Sequence, residues 1–135
     1  MELRKANKHD FIKINNAVSK KNIPFCRSEQ ICSDFVRERL YAVVEEDRVL
    51  ATLSVIEEPS YGYMAIKRLC ILNKKNQGKG IARFAIHEIQ KIVTGRIGAT
   101  PWNDNDKMRY LLESECFHLE YIFAEKWCFY VKECK

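Results

Sequence analysis

Two glycines separated by one residue lie between an apolar segment and an amphipathic one, in Gln77-Gly78-Lys79-Gly80-Ile81-Ala82. Glycine has no Cβ, so the backbone at Gly78 and Gly80 can take positive φ and approach a ligand closely. A helix that begins directly afterwards would present amides with no partner inside the helix, at the positive end of its dipole. The segment therefore predicts a site where backbone amides bind an anion such as a phosphate.

The basic residues favour a ligand with several negative charges. Six of them, uninterrupted by any acid, are Lys67, Arg68, Lys74, Lys75, Lys79 and Arg83. Of the 23 Lys and Arg, these six leave 17 against 18 Asp and Glu, so the rest of the chain is nearly neutral. The basic balance comes from one segment, which suits a ligand with several phosphates.

Other glycine loops have different spacings. A Walker loop would need Lys-Ser/Thr directly after its second glycine, and Gly80 is followed by Ile81 and Ala82. A dinucleotide fingerprint would need glycine where Arg83 stands. An ordinary glycine turn beside solvated lysines remains the alternative from the hexapeptide alone.

Hydrophobic periodicity predicts the elements that position this loop. Asn7 and Asp10 form a variant of the capping box and start a first helix with Phe11, Ile14 and Val18 on one face. A second helix is predicted to begin near Ser28, and its inward face would consist of Ile31, Cys32, Phe35 and Val36. Strands are predicted at 2–6, 40–45, 49–56, 62–72, 96–100, 117–122 and 127–132, a helix at 81–93, and a further helix from 103–105 that carries Met108, Leu111 and Leu112.

Length and composition bound the class of protein. A chain of 135 residues predicts one domain, 1–135. No apolar segment approaches the ~20 residues that span a bilayer, and the N-terminus lacks the apolar core of a signal peptide. We therefore expect a cytoplasmic protein that does not associate with a membrane. The six cysteines lack a Cys-x-x-Cys pair, and the cysteines and three histidines lack ligand-like spacing. We therefore expect no metal and mostly buried, small apolar thiols.

The pattern Gln/Arg-x-x-Gly-x-Gly/Ala at 77–82 resembles the acyl-CoA pyrophosphate loop of the GNAT superfamily of N-acyltransferases. The order β-α-α-β-β-β-α-β-α-β-β resembles that family as well, over nearly the whole chain and most strongly from Cys70 to Phe117. The resemblance implies an α/β (α+β) fold, with a central mixed sheet of six to seven strands and helices on both faces. It also implies an acetyl-CoA-dependent N-acetyltransferase.

The resemblance assigns cofactor contacts to this chain. The pyrophosphate would lie on the amides of the loop: Gln77, Gly78, Lys79, Gly80, Ile81 and Ala82, with Arg83 beside it. In the family, the strand before the loop splays from the next parallel strand, and the pantetheine arm fills the gap; here that strand end is Cys70, Ile71 and Leu72. Asn105 would bond the pantetheine region, although a helix cap is an equally good role for it.

The catalytic residues are not identified by the resemblance. Leu112 stands where the family often has the tyrosine that protonates the departing thiolate, and Cys116 replaces a glycine before Phe117. Tyr110 lies two residues away and so points elsewhere on the helix. Weak candidates for proton transfer are Glu57, Glu58, Tyr61 and Tyr63, and the histidines His9, His87 and His118 favour solvated roles.

Three functional hypotheses remain open at this point. The first is direct transfer of an acetyl group from acetyl-CoA to a primary amine, with the thioester polarised by a strand amide near Ile71 or Leu72; in that case Leu112→Tyr would raise turnover. The second is a catalytically weakened domain that binds CoA or acyl-CoA as a sensor or partner module. Nucleic-acid binding ranks last, because no motif or stacking aromatic set accompanies the basic segment. The acceptor amine and the oligomeric state are not predicted.

Overall fold

The computed structural model describes residues 1–21, 23, 26–58 and 62–134, and its elements follow the predicted order. The helices are α1 Lys8–Lys21, α2 Ser28–Val36, α3 Ile81–Ile92 and α4 Asp106–Ser114. The strands are β1 Glu2–Lys5, β2 Leu40–Glu45, β3 Arg48–Glu58, β4 Tyr63–Ile71, β5 Gly95–Ala99, β6 His118–Phe123 and β7 Trp127–Cys134. A 3₁₀ turn, Lys74–Asn76, precedes α3.

The strands form a seven-stranded sheet in the order β1-β2-β3-β4-β5-β7-β6. The pairing of β4 with β5 is parallel and joins Met64 to Ile97 and Ala65 to Gly98. The pairs β1–β2, β2–β3, β5–β7 and β6–β7 are antiparallel. The prediction of a mixed sheet of six to seven strands within an α/β element order is therefore confirmed.

The chain divides into two compact units, Met1–Val55 with Lys67–Ala85 and Ile56–Ile66 with Ile86–Lys135. A cluster of buried side chains forms the core of the first unit: Ala6, Ile14, Val18, Cys26, Ile31, Leu40, Ala42, Val44, Cys70 and Leu72. The largest fully buried side chains of the second unit include Ile97, Leu112 and Tyr130. A single domain over 1–135 stays a prediction.

Helix α1 begins with the capping arrangement that the sequence predicts. The Asp10 amide donates to the Asn7 side chain at 2.8 Å, and the Asn7 amide donates to the Asp10 carboxylate at 3.2 Å. Arg4 of β1 also holds this carboxylate, through Nε at 3.0 Å and Nη2 at 2.9 Å. Two otherwise unsatisfied amide and carboxylate groups are thereby paired at the start of the helix.

The inward face of α2 differs from the prediction at two positions. Ile31 is buried as expected, but Val36 is 78% exposed and Asp34, at 2% exposure, is buried instead. The reason is an ion pair, because Arg68 of β4 reaches the Asp34 carboxylate. A charged residue thus occupies a core-facing position that the pattern of apolar residues assigns to hydrophobic side chains.

The cysteines differ in exposure and are all free thiols. Cys26, Cys70 and Cys128 are buried, Cys32 and Cys134 are half-buried, and Cys116 is exposed. The expectation of buried thiols therefore holds for Cys26, Cys70 and Cys128 and is wrong for Cys116. The latter residue follows α4 in the left-handed backbone region, at φ +68°, where the chain leaves the helix.

Candidate functional site

The glycine loop has the backbone conformation that its sequence predicts. After the 3₁₀ turn, Gly78 and Gly80 both take φ of +77°, and α3 begins at Ile81. Residues with a Cβ rarely adopt this region, so glycine is the residue type that both positions require. The segment from Gln77 to Gly80 is exposed, and Ile81 anchors its end as a buried side chain.

The N-terminus of α3 offers donors to a ligand. The hydrogen-bonding of the helix begins with the Phe84 amide, which donates to the Gly80 carbonyl at 3.0 Å. The amides of Ile81 and Ala82 precede that bond and so cannot be satisfied within the helix. A Cβ added at Gly78 or Gly80 would meet no heavy atom within 4 Å, so the space beside both glycines is open. This arrangement is able to bind an anion through backbone amides and the helix dipole.

The basic segment contributes fewer available charges than the sequence suggests. Lys74, Lys75 and Lys79 are exposed around the loop. Arg68, in contrast, is committed to the buried carboxylate of Asp34, with Nε at 2.7 Å and Nη2 at 2.9 Å. The exposed lysines therefore contribute to the positive field at the loop, and Arg68 does not.

The end of β4 orients its backbone groups in alternation. Cys70 and Leu72 turn their side chains into the core of the first unit. The Leu72 amide donates to the Leu50 carbonyl of β3 at 3.0 Å, so the Ile71 amide, one residue earlier, faces the opposite edge of the strand. Of the two amides that the sequence nominates for polarising a carbonyl, only that of Ile71 has this outward direction. Lys21, at the end of α1, donates through Nζ to the Leu72 carbonyl.

Arg68 carries a backbone feature that the sequence does not reveal. It lies inside β4 and has φ of +54°. Its partner Asp34 also accepts a hydrogen bond from Ser54 Oγ of β3 at 2.6 Å. The available signal was weak: Asp34 lies three residues after Ile31 and so shares its helix face, but an acid there is usually solvated.

Two buried thiols lie near this strand end. Interaction with the neighbouring Cys70 thiol lowers the pKa of Cys26, and the charge of Arg68 acts in the same direction. The same interaction, together with burial, raises the pKa of Cys70. Cys26 is therefore the member of the pair that ionises first.

Helix α4 carries the downstream residues of the prediction. Asn105 caps the helix, since its side-chain oxygen accepts from the Met108 amide at 3.2 Å. Leu112 has 0% exposure, and Tyr110 is 70% exposed. Asn105 thus has the capping role that the sequence allowed, and a cofactor contact by this residue stays a prediction.

The weak candidates for proton transfer lie in varied surroundings. Glu57 is exposed, whereas Tyr63 stacks at a tilt on Phe129, with ring centroids 5.1 Å apart. Tyr61 lies outside the described residues. His87, exposed on α3, has Nδ1 2.9 Å from a Glu115 carboxylate oxygen. None of these observations assigns a catalytic role.

The described residues contain neither a cluster of metal ligands nor a helix suited to a membrane. Within the part of the chain that the structure describes, no group of three or more His, Cys, Asp or Glu side chains is placed to hold a metal ion. No helix in that part has the length and apolar character needed to cross a bilayer.

The fold is shared with solved acetyltransferases. An acetyltransferase of the GNAT family from Streptococcus agalactiae superposes with a TM-score of 0.80 at 14% identity, covering 99% of this chain and 95% of that one. The aminoglycoside 6′-N-acetyltransferase from Enterococcus faecium gives 0.78 at 12% identity, with 100% and 98% covered. The ribosomal-protein-S18-alanine N-acetyltransferase from Escherichia coli gives 0.76 at 10%, with 99% and 94% covered. No protein-family model and no curated protein matches the sequence.

These likenesses establish the architecture of the chain. Each covers almost the full length of both proteins, at identities too low to carry more than the fold. The chain has the GNAT fold, and the resemblance drawn from the loop and the element order is confirmed at that level. Activity does not follow from the fold and has to be argued from the site.

Proposed function

We propose that this chain is an N-acetyltransferase that moves an acetyl group from acetyl-CoA directly to a primary amine. The amides of Gln77 to Ala82, with Arg83, bind the pyrophosphate. The pantetheine arm runs along Cys70 to Leu72, with Asn105 as a further contact. The GNAT fold and the acetyltransferase names of the similar structures support this assignment.

The observation that carries the proposal is the backbone of the glycine loop. Two glycines at φ +77° lead directly into the N-terminus of α3, in an exposed segment with open space beside each glycine. Such a loop binds a diphosphate through several amides at once. The exposed lysines around it add the attraction that a ligand with several phosphates needs.

The transfer step needs little from side chains. The neutral amine nitrogen attacks the thioester carbonyl carbon, the C–S bond breaks, CoA leaves as the thiolate, and the proton lost from nitrogen passes to water. The Ile71 amide stabilises the charge that develops on the carbonyl oxygen. Orientation of the reactants lowers the activation barrier by about 7–11 kcal/mol. Because Leu112 cannot donate a proton as a tyrosine would, the reaction loses the roughly 10²–10⁴-fold acceleration typical of general acid–base catalysis, but transfer still proceeds.

Replacing Gly80 with valine tests the loop. A Cβ-branched residue disfavours φ +77° and fills the open space beside the loop, so we expect the Kd of acetyl-CoA to rise at least about tenfold, equivalent to one lost hydrogen bond to a charged group. Isothermal titration calorimetry measures the change. Gly95→Val is the matched control, since Gly95 also has positive φ, +93°, with nothing within 4 Å of an added Cβ. Equal loss of affinity in both variants, or none in Gly80→Val, overturns the loop assignment.

The second candidate is a domain that binds acetyl-CoA without turnover, and the complete burial of Leu112 favours it. The two functions are distinguished by chromatographic measurement of CoA released from acetyl-CoA with a panel of amines.

Two similar structures are named for different acceptors, an aminoglycoside and an alanine of a ribosomal protein. The panel therefore contains kanamycin, a peptide with N-terminal alanine, free lysine and spermidine. Release above background with one amine supports the enzyme; binding without release supports the second candidate.

A further inference from the structure

The ion pair between Asp34 and Arg68 has a geometry that stability alone does not explain. Arg68 sits in the left-handed backbone region, at φ +54°, in the middle of β4. A long side chain in this region is strained, and such strain persists only where the surroundings over-determine it. The surroundings here are the carboxylate of α2 and the hydroxyl of β3 that bonds it.

The pair fixes Arg68 from two directions. Both guanidinium contacts are short, Nε to Oδ2 at 2.7 Å and Nη2 to Oδ1 at 2.9 Å, which is the bidentate geometry that sets the angle of the guanidinium plane. The side chains are 14% and 3% exposed for Arg68 and Asp34. Ser54 Oγ donates to Asp34 Oδ2 at 2.6 Å and so holds the carboxylate in turn.

Burying this pair brings little net stability. The desolvation of two charges offsets much of their attraction, and apolar residues of similar volume often serve a fold as well. The strained backbone of Arg68 lowers stability further. The strained backbone of Arg68 is therefore better explained by its effect on the end of β4, which follows it in the chain.

The end of β4 is the segment that the proposed function places beside the thioester. A left-handed residue within a strand is typical of one kind of β-bulge, and such a bulge changes which backbone groups face each edge of the strand. After Arg68, the side chains of Cys70 and Leu72 are buried and the Leu72 amide bonds Leu50. Extended backbone at Arg68 would shift this alternation by one residue and turn the Ile71 amide towards β3.

We propose that Asp34 and Arg68 are positioning residues for acetyl transfer, which hold the bulge in β4 and thereby aim the Ile71 amide at the thioester carbonyl. This role rests on the proposed function of the chain. It makes no use of the glycine loop, so it concerns the transfer step more than the affinity for acetyl-CoA.

The test compares variants of the pair in the full-length protein. Asp34→Asn and Arg68→Ala are expected to lower kcat about tenfold or more, because small displacements of catalytic groups are costly, with KM for acetyl-CoA changed less than about threefold. Arg68→Gly adopts φ +54° without strain and is expected to retain more of kcat than Arg68→Ala. Rates are measured as CoA release with the fastest amine of the panel. The three-bond HN–Hα coupling of Arg68 reports its φ in wild type and in Asp34→Asn.

Asp10 provides the matched control. Its carboxylate is 1% exposed and held by two nitrogens of Arg4, at 3.0 and 2.9 Å, in the same unit but at the start of α1. Asp10→Asn is expected to lower stability as Asp34→Asn does, with kcat unchanged. An active wild type whose kcat survives Asp34→Asn and Arg68→Ala, or falls equally in Asp10→Asn, overturns the positioning role alone. A wild type that transfers to no amine overturns the proposed function and this role together.

Discussion

Leu112 has no exposed surface, although the resemblance to the GNAT acyltransferases implies a proton donor at this position. An apolar residue that fills its site completely is part of the packing of the second unit. It neither donates a proton nor leaves room for a larger residue that would. The chemistry of the proposed transfer therefore depends on backbone amides and water.

Restoring the tyrosine at this position is expected to fail. The sequence alone suggested that Leu112→Tyr would raise turnover, but a larger side chain in a filled site costs typically about 1–3 kcal/mol, and its buried hydroxyl needs a partner. Urea unfolding measures the loss, and CoA release should show no gain. Leu112→Met, a change of similar volume, is the control and should cost less than about 1.5 kcal/mol. A Tyr variant as stable as wild type and faster in transfer would contradict this view.

Individual residues differ in how far the sequence predicts them. Gly78 and Gly80 were identified because the need for positive φ is local and glycine meets it. The contact between Asp34 and Arg68 was not identified, because it joins residues 34 positions apart and because Asp and Arg are usually solvated. Chemistry that depends on a residue type is visible in the chain, whereas chemistry that depends on a distant partner is not.

Helix ends show the same contrast among the elements. The capping pair of Asn7 and Asp10 and the cap at Asn105 follow from residue type and spacing, and both are observed. The end of α4 is less expected: the Cys116 amide donates to the Glu113 carbonyl at 3.1 Å, and the Phe117 amide donates to that of Leu112 at 2.9 Å. This is a Schellman motif, with a cysteine where glycine is preferred.

Cys116→Gly is expected to stabilise the protein. Cys116 has φ +68°, and relieving a left-handed residue of its Cβ gains about 1 kcal/mol. The free energy of unfolding in urea measures the gain. Cys116→Ala keeps the Cβ and should show no such gain, which separates backbone strain from the loss of the thiol. A stability of Cys116→Gly at or below that of Cys116→Ala would contradict the explanation.

The bounds of the elements were predicted within a few residues because period and turn residues are local signals. Strand β2 was predicted at its observed bounds, and β4 within one residue at each end. The positive φ of Arg68 was not predicted, because nothing in the residue types of β4 requires it. Its partner Asp34 lies on α2, so only the folded chain reveals their contact.

At the scale of the whole molecule, the net charge of +5 comes largely from the segment that carries the loop. With Arg68 neutralised by Asp34, the exposed lysines Lys74, Lys75 and Lys79 provide the field that a polyphosphate meets. The element order was predictable because each element carries its own period. The neighbour order of the seven strands was not, because β7 inserts between β5 and β6.

Acetyl-CoA binding should weaken with salt. Exposed charges are screened over about 10 Å at 0.1 M salt and about 3 Å at 1 M, so we expect Kd to rise several-fold across this range. Calorimetry at several salt concentrations measures the slope. Lys79→Gln should flatten it, while Lys8→Gln, an equal change of net charge at the start of α1, should not. A slope of zero for the wild type would contradict electrostatic attraction by the lysines.

The depth of each thiol decides how a purified sample ages. Air oxidation starts at thiols that solvent reaches, which are Cys32, Cys116 and Cys134, and it joins one molecule to another through them. Cys26 and Cys70 are buried and are protected from oxidation as long as the protein stays folded. A sample stored without reductant would thus become cross-linked well before the strand end beside Ile71 is damaged, and fresh thiol would restore it.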